Sequence, residues 1–117
     1  MGSLQEVTWH SLTAILHYVM EENMTIRSFQ SLIYDRYFKT DSERGAAGTF
    51  LWLSEEFGEL AHALGRWERG DPDMKNLEEE FADVIAWLMT LANITGIDLS
   101  QALENKYIRD GGPSGEK

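Results

Sequence analysis

The chain has 117 residues, 43% of them hydrophobic, no cysteine, and 20 acidic against 10 basic residues for a formal net charge of −10. This length and composition suggest one folded domain, and the negative surface argues against polynucleotide and anionic-lipid partners, leaving a phosphate-bearing small molecule compatible if a divalent cation bridges it to the acids. The lack of cysteine excludes disulfides, thiolate zinc sites and cysteine nucleophiles, and it fits a reducing cytoplasm, the expected location.

No apolar run approaches the roughly 18 residues of a membrane span, so no membrane is expected. Glu6, His10 and His17 interrupt any signal-peptide core. The first segment, about Gln5 to Glu22, places Trp9, Leu12, Leu16, Val19 and Met20 at helical spacing. It is read as an amphipathic helical extension, residues 1–24. His10 and His17, seven apart, share a face of it, an arrangement commoner at a helix surface than in a metal site. A second helix is expected from Thr25, a candidate N-cap, with Phe29, Leu32, Ile33 and Tyr37 on one side. Residues 41–45, Asp-Ser-Glu-Arg-Gly, read as a loop.

The third helix is expected from about Ala46 to Arg69, ended by Gly70-Asp71-Pro72-Asp73. The fourth runs from Met74 or Lys75 to Thr95 and is closed by Gly96. Asp98 caps a fifth that ends near Arg109, before Gly111-Gly112 and a flexible tail, residues 111–117. The pattern predicts an all-α fold: an antiparallel bundle of four to five helices, with oligomerisation favoured because so short a chain buries only roughly two-thirds of its unfolded surface.

The informative residues lie on the third and fourth helices. Residues three apart on a helix project about 60° from each other, so Glu56 and Glu59 form one pair on a shared face, and Glu80 and Asp83 another. On the third helix Phe50, Leu53, Phe57, Leu60, Ala61 and Leu64 form the apolar arc; Glu56 is at its edge and Glu59 beyond. On the fourth, Leu77, Phe81, Val84, Leu88 and Leu91 form the arc, with Glu80 at the edge and Asp83 further round. Trp52 and Trp87 fall between the acids of their helices. Each is either core filler or a stacking platform for a nucleobase. A short connection makes the two helices antiparallel neighbours, so the pairs face each other. Four carboxylates so close repel until a hard, oxygen-seeking cation such as magnesium or manganese joins them. The bland alternative is a solvated acidic helix surface.

Glu55-Glu56-x-x-Glu59 followed after 20 residues by Glu80-x-x-Asp83 resembles the compound motif of the MazG-like, all-α nucleoside triphosphate pyrophosphohydrolases. The similarity extends over Thr49 to Leu53, Gly58 to Ala61, Asp83 to Ile85, Gly96 to Leu99 and Ala102 to Lys106, so residues 25–110 are read as the domain. The resemblance implies a magnesium-dependent enzyme, with manganese as a substitute, that splits the α–β phosphate link of (deoxy)nucleoside triphosphates into monophosphate and pyrophosphate, in nucleotide-pool house-cleaning. It implies Glu56, Glu59, Glu80 and Asp83 as metal ligands and catalytic residues. Glu55 matches the first motif glutamate and is left either orienting water or as a surface acid. Lys106 takes a family-like position for phosphate contact, with Arg109 a turn further on; a solvated basic helix end is the other reading of Arg109. The resemblance also implies a homodimer or dimer of dimers.

Two rivals stand beside this. A ferritin-like di-iron site would use Glu59-x-x-His62, but it needs a second such motif on another helix, where this sequence has Glu80-x-x-Asp83. A non-enzymatic helical module that binds metal or nucleotide would show no turnover, and a pure interaction module would show no magnesium-dependent stabilisation either.

Overall fold

Residues 23–113 are described by the computed structural model. The expected cap at Thr25 is formed: its Oγ1 accepts from the Ser28 N–H at 3.0 Å while Ser28 Oγ accepts from the Thr25 N–H at 2.8 Å. Two donors that a helix start leaves unpaired are thereby satisfied. From there helix α1 runs Ile26–Glu68, interrupted only at Gly45. The loop expected over residues 41–45 is therefore a single-residue break.

The reason lies in side chains flanking that break. Arg44 donates from Nη2 to Asp41 Oδ1 at 2.6 Å, one turn back, and from Nε to Thr49 Oγ1 at 3.0 Å, beyond the break. This clamp holds the first limb helical to its end and ties it to the second. Gly45 alone changes direction, at φ 82° and ψ 172°, a backbone region open essentially to glycine only.

Helix α2, Met74–Thr95, returns antiparallel after a short turn. Asp73 caps it, accepting from the Asn76 N–H at 3.1 Å. Gly96 ends it in the left-handed conformation, φ 74°, as its position after the last apolar residue suggested. Asp98 caps the short helix α3, Leu99–Leu103, through the Gln101 N–H at 3.1 Å. The fifth helix expected to Arg109 then departs from expectation: Glu104–Arg109 is a π-helical turn, whose wider spacing brings Glu104 and Arg109, five apart, to 3.5 Å. All regular elements among the described residues are helical. The first expected helix lies outside them, as do the last four residues of the expected tail.

The seam between the second limb of α1 and α2 is not the one expected. Its buried positions are Thr49, Leu53 and Ala63 on α1 and Leu77, Glu80 and Val84 on α2, with Glu56 and Leu60 half-buried. Phe50, Phe57, Leu64, Phe81 and Leu88, assigned above to the apolar arcs, are exposed. Each apolar arc is wider than one contact can cover. The seam takes one side of it, including the glutamates, and leaves a second apolar stripe outside. Toward the other end of α2, Met89 and Ala92 are buried, as is Ile33 on the first limb of α1.

Candidate metal centre

The buried seam carries charge at its middle. Glu56, Glu80 and Asp83 each bring one carboxylate oxygen within 4.8 Å of the others. Glu56 comes from α1; Glu80 and Asp83 share a face of α2 because they are three apart. Glu80 is 9% exposed and Asp83 is exposed, so the group spans the edge of the seam from dry to wet.

Burial holds the Glu56 carboxyl above its ordinary value, reinforced by repulsion from Asp83, Glu80, Glu59 and Glu55, in that order. Loss of hydration and like charge both oppose ionisation. Glu80 is positioned by a residue that sequence reasoning missed: Asn76 donates from Nδ2 to Glu80 Oε1 at 3.1 Å. The signal was an Asn four residues before a Glu on one helix, a spacing that places the two side by side. The other Glu80 oxygen, Oε2, is buried with no hydrogen-bond partner among the described residues. Leaving a charged acceptor dry and unpaired is costly. A divalent cation among these three oxygen donors would relieve both the orphaned oxygen and the mutual repulsion, so the residues fit such a group.

The structure does not bring every expected site residue together. Glu59 lies outside the three-carboxylate group, exposed, near enough to act on Glu56 only as the smaller charge named above. Glu55 is exposed too. His62 is also outside the group, so the donor set here is all oxygen and lacks the histidine a di-iron centre would use. Trp52 and Trp87 do meet: their rings lie 6.3 Å apart between centroids and 11° from parallel. Arg44 lies over the Trp87 ring at 4.9 Å. Each tryptophan is four residues along its helix from an acid of the group, Trp52 from Glu56 and Trp87 from Asp83.

Lys106 and Arg109 are elsewhere. They sit on the π-helical turn beyond the far end of α2. The 12 residues from Asp83 to Thr95 alone span about 18 Å at the helical rise. Lys106 faces the Tyr107 ring at 5.6 Å, and Arg109 faces Glu104. Among the described residues no single helix is long and apolar enough to cross a membrane.

Among known families, the model of the MazG nucleotide pyrophosphohydrolase domain matches residues 45–109, just over half of the chain. The match opens at the Gly45 break and contains all five motif acids; residues 25–44, expected as part of the same domain, precede it. No curated protein matches the chain.

Proposed function

The chain belongs to the MazG nucleotide pyrophosphohydrolase family, and from that premise we propose that it hydrolyses nucleoside triphosphates between the α and β phosphates in a magnesium-dependent reaction. The observation that carries this reading is the group of three carboxylates within 4.8 Å in a half-dry seam, with one buried oxygen unpaired.

A divalent cation bound there supplies charge neutralisation for phosphate oxygens and a lowered pKa for the attacking water. Glu56, Glu80 and Asp83 hold it, and manganese substitutes for magnesium. Glu59, exposed one turn from Glu56, would be the fourth ligand that the family resemblance implies. Asn76 fixes the orientation of Glu80. Glu56, surrounded by the other acids, is the group positioned to accept the proton of the water, and Glu55 stays a surface acid. The sequence has no Gly-x-x-x-x-Gly-Lys phosphate loop and no serine beside an evident base, which favours direct attack by water over a covalent intermediate. Trp52, about half exposed, and Trp87 offer ring surface to the nucleobase one turn from the acids.

Lys106 and Arg109 then contact phosphate from a second copy of the chain. Two features support such an assembly: their distance from the acids of their own chain, and the exposed stripes Phe50-Phe57-Leu64 and Phe81-Leu88, each at heptad spacing along its helix. We place the protein in the cytoplasm, where a nucleotide pool and a reducing environment suit this reading.

The test is the product. A deoxynucleoside triphosphate incubated with protein and magnesium yields monophosphate and pyrophosphate in equal amounts, and heavy-oxygen water labels one of those two in a single turnover. Diphosphate with orthophosphate as first products would place cleavage at the γ position and end this reading.

A further inference from the structure

An apolar groove of about 590 Å³ opens where α1 begins, lined by Met24, Ile26 and Phe29 there and by Ala82, Ile85 and Met89 on α2; the capping Thr25 is the one polar lining residue among those described. Met89 is buried, while Met24, Ile26 and Ile85 are exposed. Contiguous exposed apolar surface of this kind marks a contact with another apolar face. The groove is no part of the metal centre. At 100° per residue, Ala82, Ile85 and Met89 centre roughly 160° around α2 from the midpoint of Glu80 and Asp83.

The sequence just ahead of the groove is suited to cover it. Trp9, Leu12, Leu16, Val19 and Met20 recur at helical spacing. Leu12 to Val19 is seven residues, the same step as Ala82 to Met89 on α2, about 10 Å along a helix. Asn23 is helical, Met24 and Thr25 are not, and Thr25 is extended at φ −118° and ψ 167°. Two residues are enough to join helices that lie side by side and antiparallel. Met24 belongs to this connection and also lines the groove, and Met20, the last residue of the stripe, precedes it by four. So short a tether holds the stripe at the groove at an effective concentration of the order of millimolar, above that of a free partner.

We propose that residues 9–20 of the same chain form a helix that turns back at Met24-Thr25 and closes this groove, with Leu12, Leu16 and Val19 set against Ala82, Ile85 and Met89. The segment then makes an antiparallel helical hairpin with the first limb of α1 and braces α2 on the side away from the acids. Met24 and Met89, unbranched and adaptable, fit themselves around the incoming side chains.

The full chain has no cysteine, so a pair introduced as Leu16→Cys and Ala82→Cys reports the contact without competing thiols. A short bismaleimide is expected to join the two within one chain, in a yield that does not change on dilution. Adding Leu12→Glu and Val19→Glu charges the stripe and should cut that yield about tenfold, or more, because the buried apolar side chains hold the segment in place. Ile85→Glu, which charges the groove at an exposed position, should lower the yield in the same way and decides the matter if the stripe variant fails to fold. A product of twice the mass that fades on dilution would place the stripe on a second copy. A single-chain yield unmoved by the added glutamates would mean random collision of a loose tether. Either result, or no cross-link at all, overturns the proposal.

Discussion

The α1–α2 pair packs polar groups at both of its ends, half-buried at one and with Glu80 buried at the other, and they are treated in opposite ways. At the far end, Gln30 donates to Asn93 Oδ1 at 3.0 Å and to the Ile97 carbonyl at 2.7 Å. Gln30 Oε1 accepts from the Leu99 N–H, and Asn93 donates back to the Gln30 carbonyl. Each of these groups finds its partner inside the chain, and the network fixes how α3 leaves α2. Near the turn, Glu56, Glu80 and Asp83 crowd together with a buried Glu80 oxygen unpaired. The same helices thus carry one polar cluster that is complete and one that needs something from outside. The first is architecture and the second is the cation site we propose. Burial of polar groups does not distinguish them; satisfaction does.

The largest expected effect comes from removing a charge at the incomplete end. Glu80→Gln keeps shape and the bond from Asn76 but takes away a ligand, and turnover should fall by roughly three orders of magnitude, or more, while the protein stays helical by circular dichroism. Unchanged turnover would remove Glu80 from the site. Next comes Asn76→Ala, which frees Glu80 without touching a ligand. The magnesium concentration for half-maximal rate should rise about 10- to 100-fold, with the rate at saturating magnesium largely restored. If the saturated rate falls instead and the magnesium dependence stays put, Asn76 does not act through Glu80.

At the complete end, Gln30→Ala strands Asn93 and the Leu99 N–H. It should cost about 1–3 kcal/mol in denaturant unfolding while leaving the magnesium dependence of turnover as it was. A shift in that dependence would mean the two clusters are coupled. The smallest effect is that of pH. The Glu56 carboxyl is held above its ordinary value, so the folded protein without metal favours the protonated form. That contribution to stability is fully present below the unfolded value and is lost as pH rises through the raised one. Magnesium opposes this by favouring the ionised form, so its increment in Tm should be larger at pH 7.5 than at a pH near the ordinary glutamate value of about 4.3. An increment independent of pH would exclude Glu56 from the cation site.

Local chemistry made much of this legible in the sequence. Thr25, Gly96 and Asp98 act where cap and stop preferences place them, because those rules depend only on neighbours along the chain. The Gly45 break was misjudged as a five-residue loop because Asp41 to Arg44 has loop-like composition; what keeps it helical is a bond across the break to Thr49. The acids of the site were visible as pairs on helix faces. Their depth was not: the wheel put Glu56 and Glu80 at the edge of apolar arcs, while the fold turns each arc so that the glutamates enter the seam and Phe57 and Phe81 leave it. A wheel gives angles, and only the partner helix fixes which angle is inside. Glu59 shares a face with Glu56, yet it lies outside the group, exposed, whereas the same three-residue spacing on α2 brings Asp83 in beside Glu80, so spacing alone does not tell which acid joins. Asn76 and the Asp41–Arg44–Trp87 contacts were missed because polar residues at helical spacing are common on surfaces.

Calorimetric titration of magnesium into the protein without nucleotide is the most direct measurement of the difference between the two ends. The account predicts saturable binding that is retained in Gln30→Ala and lost in Glu80→Gln. Equal binding in all three proteins, or none in the wild type, would contradict it.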